Sequence, residues 1–408
     1  MTKTQVNKVG RNIRKTIQNQ GEISNEDLLI LQNYRTSFQA DLASVFNQIS
    51  NLSKKERSDS IVSFRIKRIE SILSKIKRQP TMALGNMGDV AGCRVLLYSD
   101  EALIGLVQKF NAVFNVKYFN NYLDEAKEDG YRGYHLYIES PIDSSKLIEI
   151  QLRTVTAHKW ASLVEMIDIL YNLKIKEGEK SYEFEEFLLL LSRKSTLTIK
   201  DKIRIIEIDK KNNIYPKLNE VFVQNHLQVR KDWVSLSNLS NNYFIIEVDF
   251  EKKTNLISFG SYKSAEERYF KMFGEKNKSN FVLTHVEKPN FRRVCIAYAS
   301  YMLVNHDYLE DWNEFTKDII MDNTIKKSQS NFDYYSEYIR RNLEDQFNLV
   351  KSEISEYNSY SEKEEKNDGL NEWLDEIKEK MKKFDMVARQ HNDINKQKNK
   401  NFFRRLLG

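Results

Sequence analysis

The chain has 408 residues, of which 40% are hydrophobic and 30% charged, with a net charge of +6. This balance excludes a disordered or fibrous chain, and the length supports two or three domains with a buried core. The excess of positive charge is enough to attract polyphosphates or RNA but too small to identify either.

Residues 1–60 read as helical, because Leu31, Tyr34 and Phe38 form an i, i+3, i+7 stripe that Leu42, Val45, Phe46 and Ile49 continue. Residues 61–78 read as a second helix with Val62, Ile66, Ile69, Leu73 and Ile76 on its apolar side, unless Arg65 and Lys67 lie on an extended lead-in. Strand patterns follow at 90–98, 116–122 and 134–139. From Lys146 to Thr154 the alternation is clean, with Ile148, Ile150 and Leu152 on one face and Glu149, Gln151 and Arg153 on the other. Helical spacing resumes over 155–173, and a Phe- and Leu-dense helix is expected at 182–193.

Strands mixed with helices predict an α+β domain over 61–200. Residues 201–310 read as a second small α/β unit, with strands at 243–250, 256–261 and 280–286 and helices near 263–274 and 289–303. Residues 311–408 read as a charged helical tail. No run of about eighteen apolar residues occurs, so no membrane span is expected. The N-terminus lacks the apolar core of a signal peptide, and Cys93 and Cys295 have no partners at metal-ligand spacing. A reducing, cytoplasmic location follows as the expectation.

Four clusters between Arg65 and Glu165 carry chemistry-bearing residues. Arg65, Lys67 and Lys75 are fixed positive charges of the kind polyphosphates need, although such a run alone more often marks a solvated helix face. Asp89 stands at the entry to a buried strand, where a carboxylate can hold Mg²⁺ beside phosphates or simply cap a turn. Lys127 to His135 places two glycines among aromatic and basic residues, which suits close backbone approach to a ligand and equally an ordinary turn. Glu149, Gln151 and Arg153 put an acid, an amide and a base on one strand face, and His158 and Glu165 follow seven apart on one helix face.

Taken together, Arg65-x-Lys67, Lys75, Asp89-x-x-Gly92-x-Arg94, Gly130-Tyr131-Arg132-Gly133-Tyr134-His135, Glu149-x-Gln151-x-Arg153-Thr154 and His158-x-Trp160-Ala161 resemble the synthetase domain of the RelA/SpoT family. The resemblance is specific over residues 60–170. It extends more loosely towards 320, where Ala265 to Tyr269 and Phe281 to Leu283 are similar to stand-alone members with a C-terminal extension. It implies a nucleotidyltransferase-like fold, a mixed β-sheet flanked by helices. It also implies Mg²⁺-dependent transfer of the β,γ-pyrophosphate of ATP to the 3′-hydroxyl of GTP or GDP, with release of AMP.

Carried over residue by residue, Arg65, Lys67, Lys75 and Arg94 bind ATP, and Asp89 and Glu149 hold Mg²⁺ as the catalytic pair. Glu149 also orients or deprotonates the acceptor hydroxyl. Tyr131 stacks on the acceptor base, with Lys127, His135, Gln151 and Arg153 completing that side. The chain departs from the pattern at Asp129, where many members carry Asn, and at Met166, where a histidine often stands. No paired His-Asp hydrolase signature precedes the domain, since residues 1–60 contain no histidine and His306-Asp307 stands alone downstream, so a synthetase-only protein is expected.

Two other readings remain open at this level. One is a toxic relative that modifies the 3′ end of tRNA or an adenosine nucleotide, with Lys202, Arg204, Lys210, Lys211, Arg230 and Lys231 as an RNA-facing basic surface. Its C-terminal region would then block the site in a phage-defence setting, with Tyr335, Tyr338, Tyr357 and Tyr360 as candidate plugs. The other is an inactive nucleotide-sensing module. A homo-oligomer is compatible with any of the three.

Overall fold

The switch from helical to strand spacing falls at Ile61. In the computed structural model three helices precede it: α1 (Lys3–Gln18), α2 (Asn25–Thr36) and α3 (Gln39–Glu56). The structure describes residues 2–173 except 58, then 181–218, 221, 232–233, 236, 241–248, 254–275, 280–289, 291–297, the helical run 377–386, and scattered helical positions between 311 and 393. Tyr335, Tyr338, Tyr357, Tyr360, His306, Asp307, Arg230 and Lys231 lie outside the described residues.

Residues 61–78 are not one helix. Ile61–Ile66 is strand β1, and only Ile69–Arg78 is helical, as α4. The stripe Val62, Ile66, Ile69 fits helical spacing, but Ile61-Val62-Ser63-Phe64-Arg65-Ile66 also alternates and is β-branched at three positions, which favours the pleated backbone. Strand β2 (Ala91–Leu97), helix α5 (Asp100–Val113), strands β3 (Val116–Asn121), β4 (Tyr134–Glu139) and β5 (Leu147–Thr154), and helix α6 (Val155–Tyr171) follow. After α7 (Tyr182–Ser192) and α8 (Ile199–Asn212) come β6 (Tyr243–Val248), β7 (Thr254–Phe259), α9 (Tyr262–Glu275), β8 (Asn280–Val286) and α10 (Phe291–Ala297).

The eight strands form one sheet in the order β3-β4-β5-β2-β1-β8-β6-β7. Strands β2 and β5 run parallel and every other neighbouring pair is antiparallel, so the sheet is mixed and the fold is α+β. The expectation of a separate α/β unit at 201–310 is corrected here. Strand β8 pairs directly with β1, from Ile61↔Val286 to Phe64↔Leu283, so the strands of 243–286 extend the first sheet. An uncovered β1 would present a row of unpaired backbone groups, and β8 satisfies them. Residues 1–185 and 236–304 accordingly form one compact unit, and 186–235 with 305–408 form the other.

Period two decides which side of the sheet is core. Phe64, Cys93, Val95, Ile148, Ile150, Leu152, Leu136 and Ile138 all face one way and are buried with Phe46 and Ile49 of α3 and Leu103 and Phe110 of α5. The same core runs on under α9 through Tyr269, Met272 and Phe273. The residues between them, Ser63, Arg65, Gly92, Arg94, His135, Tyr137, Glu149, Gln151 and Arg153, face the opposite side. Helices α6 and α10 pack on the sheet there against β2, β5, β1 and β8.

In the other unit, α8 begins with a capping box between Thr198 and Asp201 and buries Ile205, Ile206 and Ile208. Two residues of the expected basic surface are ion-paired there: Lys202 with Asp318 at 2.6 Å and Arg204 with Glu186 at 2.7 Å.

Phe64 sits at the centre of the first unit's core, edge-on to Phe46 at 5.0 Å and to Tyr269 at 4.9 Å. Phe64→Ala is expected to lower the unfolding free energy by about 3–5 kcal/mol, read as a shift of the urea midpoint.

Candidate active site

Strand register assembles the site in rows. Tyr118 on β3 stands opposite Tyr137 on β4, Tyr137 opposite Glu149 on β5, Glu149 beside Gly92 on β2, and Gly92 opposite Arg65 on β1. Two residues along, the next row runs Asn120, His135, Gln151, Arg94 and Ser63. Five of the eleven residues expected from the sequence, Arg65, Arg94, His135, Glu149 and Gln151, thus share two adjacent rows on one sheet face. Arg153 follows on β5, two residues beyond Gln151.

Glu149 is 8% exposed and ends in three hydrogen bonds. The Tyr137 hydroxyl donates to Oε1 at 2.8 Å and the Gln151 amide donates to Oε2 at 2.7 Å. His135 Nδ1 lies 3.0 Å from Oε1 and completes the set. Burial alone would raise the Glu149 carboxyl, but the hydrogen bonds from His135, Tyr137 and Gln151 hold it well below the usual carboxylate range. Burial outweighs the pull of Glu149 on His135 and lowers the imidazole below its ordinary value, so His135 is neutral at neutral pH.

A neutral ring assigns the whole chain of donors. His135 gives its Nδ1 proton to Glu149, and its Nε2 accepts from the Tyr131 hydroxyl at 2.5 Å. Tyr131 in turn accepts from Arg153 Nε at 2.8 Å, and Arg153 also reaches Gln151 Oε1 at 3.1 Å. Arg153 therefore sits behind Tyr131 and Gln151. Arg94 lies beside the same amide oxygen at 3.4 Å. Burial, then the like charges of Arg153 and Arg65, lowers Arg94 to about 9, which leaves it protonated.

Asp89 is held differently. It stands in the turn before β2, where Lys67 Nζ meets Oδ2 at 3.0 Å and Lys75 Nζ, from α4, meets Oδ1 at 2.8 Å. Close approach at Gly88 makes room for this turn: a Cβ there would come within 2.6 Å of the Tyr137 ring and 2.8 Å of the Tyr118 hydroxyl. Tyr118 and Tyr137 stack at 4.3 Å. Burial, and then the charges of Asp89 and Glu149, raise both phenols, which places the two carboxylates around one aromatic pair.

Both carboxylates supply hard oxygen donors, and cations already stand at both oxygens of Asp89. Among the described residues no group of three or more His, Cys, Asp or Glu gathers to hold a metal ion. That donor set fits Mg²⁺, which binds through one or two carboxylates and completes its shell with water and substrate phosphates.

The remaining expected residues, Lys127 and Tyr131, lie at a tight turn. Gly130 has φ 92°, its N–H donates to the Lys127 carbonyl at 2.8 Å, and the Tyr131 N–H donates to Asp129 Oδ1 at 2.9 Å. Tyr131, expected to stack on the acceptor base, is 9% exposed. The Lys127 ammonium lies 5.1 Å and the Arg153 guanidinium 4.8 Å from its ring centroid. Lys127 also lies 4.5 Å from the centroid of Tyr122.

Sequence reasoning missed Tyr118, Tyr122 and Tyr137. For Tyr137 the signal was present, since it lies two residues from His135 and so on the same strand face. His158, on α6, is 1% exposed, and among the described residues neither ring nitrogen has a hydrogen-bond partner of good geometry beyond a weak approach to the Ile296 backbone. Burial first, then Arg94 and Arg153, holds it well below the ordinary histidine value of 6.5.

A histidine kept neutral by the fold takes up a proton more readily when the chain unfolds. Its contribution to stability is therefore full above pH 6.5 and is lost as the pH falls below that value towards the folded one. Between pH 7.5 and 5.5 the unfolding free energy should fall by about 1 kcal/mol more in the unaltered chain than in His158→Gln, measured by urea titration at both pH values.

Residues 64–176 match the family profile described as "Region found in RelA / SpoT proteins". GTP pyrophosphokinase YjbM of Bacillus subtilis is 33% identical over 128 residues, 29% of this chain and 61% of that protein. GTP pyrophosphokinase YwaC of the same organism is 29% identical over 136 residues, 30% of this chain and 65% of that protein. The chain thus spans less than two thirds of the length of either relative. A solved GTP pyrophosphokinase family protein from Streptococcus pneumoniae superposes over 47% of this chain and 96% of its own, at 21% identity and a TM-score of 0.36. From Arg65 to Arg153, all eleven expected site residues fall inside the matched segment, so the chain carries the RelA/SpoT region over residues 64–176 and its candidate active site is the polar sheet face within it.

Proposed function

We propose that the chain is a pyrophosphokinase that transfers the β,γ-pyrophosphate of ATP to the 3′-hydroxyl of GTP or GDP and releases AMP. The observation that carries this reading is the convergence of Asp89, Glu149, Arg65, Lys67, Lys75 and Arg94 around one face of the β1-β2-β5 sheet. Transfer of a phosphoryl-type group is mostly positioning and charge neutralisation, so cations and ionised carboxylates on rigid strands are the parts it needs. The names of the two relatives, both GTP pyrophosphokinases, support the same reaction class.

In this reading Lys67 and Lys75 leave Asp89 for the ATP phosphates, to which Arg65 and Arg94 add charge. Asp89 and Glu149 would hold Mg²⁺, which supplies neutralisation of phosphate charge when bound. The hydrogen bonds that keep Glu149 ionised make it a weak base, so it orients the acceptor hydroxyl by accepting its proton in a hydrogen bond. The neutral His135 and the Tyr137 hydroxyl hold that carboxylate in place.

One observation favours a second acceptor. Glu125, Glu128 and Asp129 line the same depression as Tyr122 and Lys127. Acidic groups there disfavour the multiply charged 5′-phosphates of any mononucleotide more than the singly charged phosphodiesters at the 3′ end of tRNA. Incubation with γ-labelled ATP and separate GTP, GDP, ATP or deacylated tRNA tests both readings, because label moves to the true acceptor and AMP appears. Glu149→Gln should lower the rate of AMP release by about a thousandfold while leaving the urea midpoint within the range of a surface change. Turnover near that of the unaltered chain would remove Glu149 from the mechanism.

A further inference from the structure

The backbone at Ile66 and Lys67 is held from three directions. Pairing of β1 with β8 ends at Phe64↔Leu283, so the Ile66 N–H lies past the end of that ladder. The Tyr269 hydroxyl, from α9, accepts it at 3.2 Å. The Lys67 N–H donates to the Val90 carbonyl at 2.8 Å, and the Lys67 carbonyl accepts from Arg35 Nε, on α2, at 2.9 Å.

Neither Arg35 nor Tyr269 is a surface contact. Arg35 is 4% exposed and Tyr269 1% exposed. Burial lowers Arg35 to about 10, so it stays charged in the core at neutral pH. A buried guanidinium is costly unless its charge is answered. Here it lies 4.6 Å from the Phe273 centroid and donates to Gln32 as well as to the Lys67 carbonyl. Tyr269 is wedged edge-on between Phe64 at 4.9 Å and Phe281 at 5.0 Å, which fixes its hydroxyl at the strand end.

We propose that Arg35 and Tyr269 are positioning residues for the donor nucleotide: by fixing the Ile66–Lys67 backbone they set the reach of the Arg65 and Lys67 side chains towards a nucleoside triphosphate. The proposal rests on the ATP reading above. Both residues lie outside the matched segment 64–176, so the donor half of the site depends on the N-terminal helices and on the added α9 region. Side chains that bind phosphate gain from being held in place before the ligand arrives.

The full chain and its Tyr269→Phe variant test this. Phenylalanine keeps the ring contacts and removes only the acceptor oxygen. Calorimetric binding of a non-hydrolysable ATP analogue with Mg²⁺ should weaken by about fivefold, the loss expected for one hydrogen bond. Hydrogen exchange at the Ile66 amide should speed up, and in the turnover assay KM for ATP should rise while kcat stays within about twofold. Arg35→Gln should weaken the same binding, and it stands in if Tyr269→Phe fails to fold. Unchanged analogue affinity in a folded variant would overturn the positioning role alone. No analogue binding by the unaltered chain would overturn the ATP reading and this role with it.

Discussion

The parallel pairing of β2 with β5 is the constraint on which the site depends. It sets Gly92 beside Glu149 and Arg94 beside Gln151, and it brings the turn carrying Asp89 to the same end of the sheet as the polar row of β5. A slip of one residue on either strand would exchange Cys93 and Ile150 for the polar row and bury Glu149 among Val95, Leu152 and Phe110. The hydrophobic face therefore enforces the polar one. Gly92 contributes by absence: a Cβ there would come within 3.1 Å of the Glu149 carbonyl, so the two strands pack closely at the point where the carboxylate projects.

The two carboxylates are held by different means, and this separates their uses. Asp89 is held by two lysines that are 20–22% exposed, partners that can swing away on four-carbon stems when phosphate competes for them. Glu149 is held by neutral donors on strands β4 and β5, His135, Tyr137 and Gln151, which stay in place as long as the β4–β5 face does. An exchangeable cationic shell suits a group that must accept a metal–phosphate complex. A fixed neutral shell suits a group whose orientation matters throughout, and because His135 is uncharged it adds no positive charge that would repel one.

Much of this was legible in the sequence. The alternation of Leu147–Thr154 and the short apolar run of Ala91–Leu97 gave both central strands and the facing of Glu149, Gln151 and Arg153. The errors have identifiable physical origins. Residues 61–66 satisfy helical and strand spacing at once, and only the partner strands decide between them. Asp100–Val113 carries a helical stripe at Leu103, Leu106, Val107 and Phe110 behind a Ser99 cap, but lies between two strand runs that draw the eye past it. The joining of β8 to β1 links residues more than 200 positions apart, which no local pattern encodes. The hydrogen bond of Tyr269 to Ile66 is hidden for the same reason.

The turn from Lys127 to Tyr131 shows how a departure in sequence can leave geometry intact and alter only the field. Asp129 accepts the Tyr131 N–H through its side chain, a bond that an asparagine carbonyl makes equally well. The positive φ of Gly130 and the Lys127 carbonyl bond do not depend on which of the two stands at 129. What an aspartate adds is a negative charge next to Lys127, whose ammonium rests over Tyr122 and Tyr131. Under the proposed function, an incoming base would have to displace that ammonium to reach the Tyr131 ring, and the displaced lysine would pair with either the acceptor's phosphate or the carboxylates of its own loop. On that reading, discrimination between acceptors at this turn is electrostatic in origin.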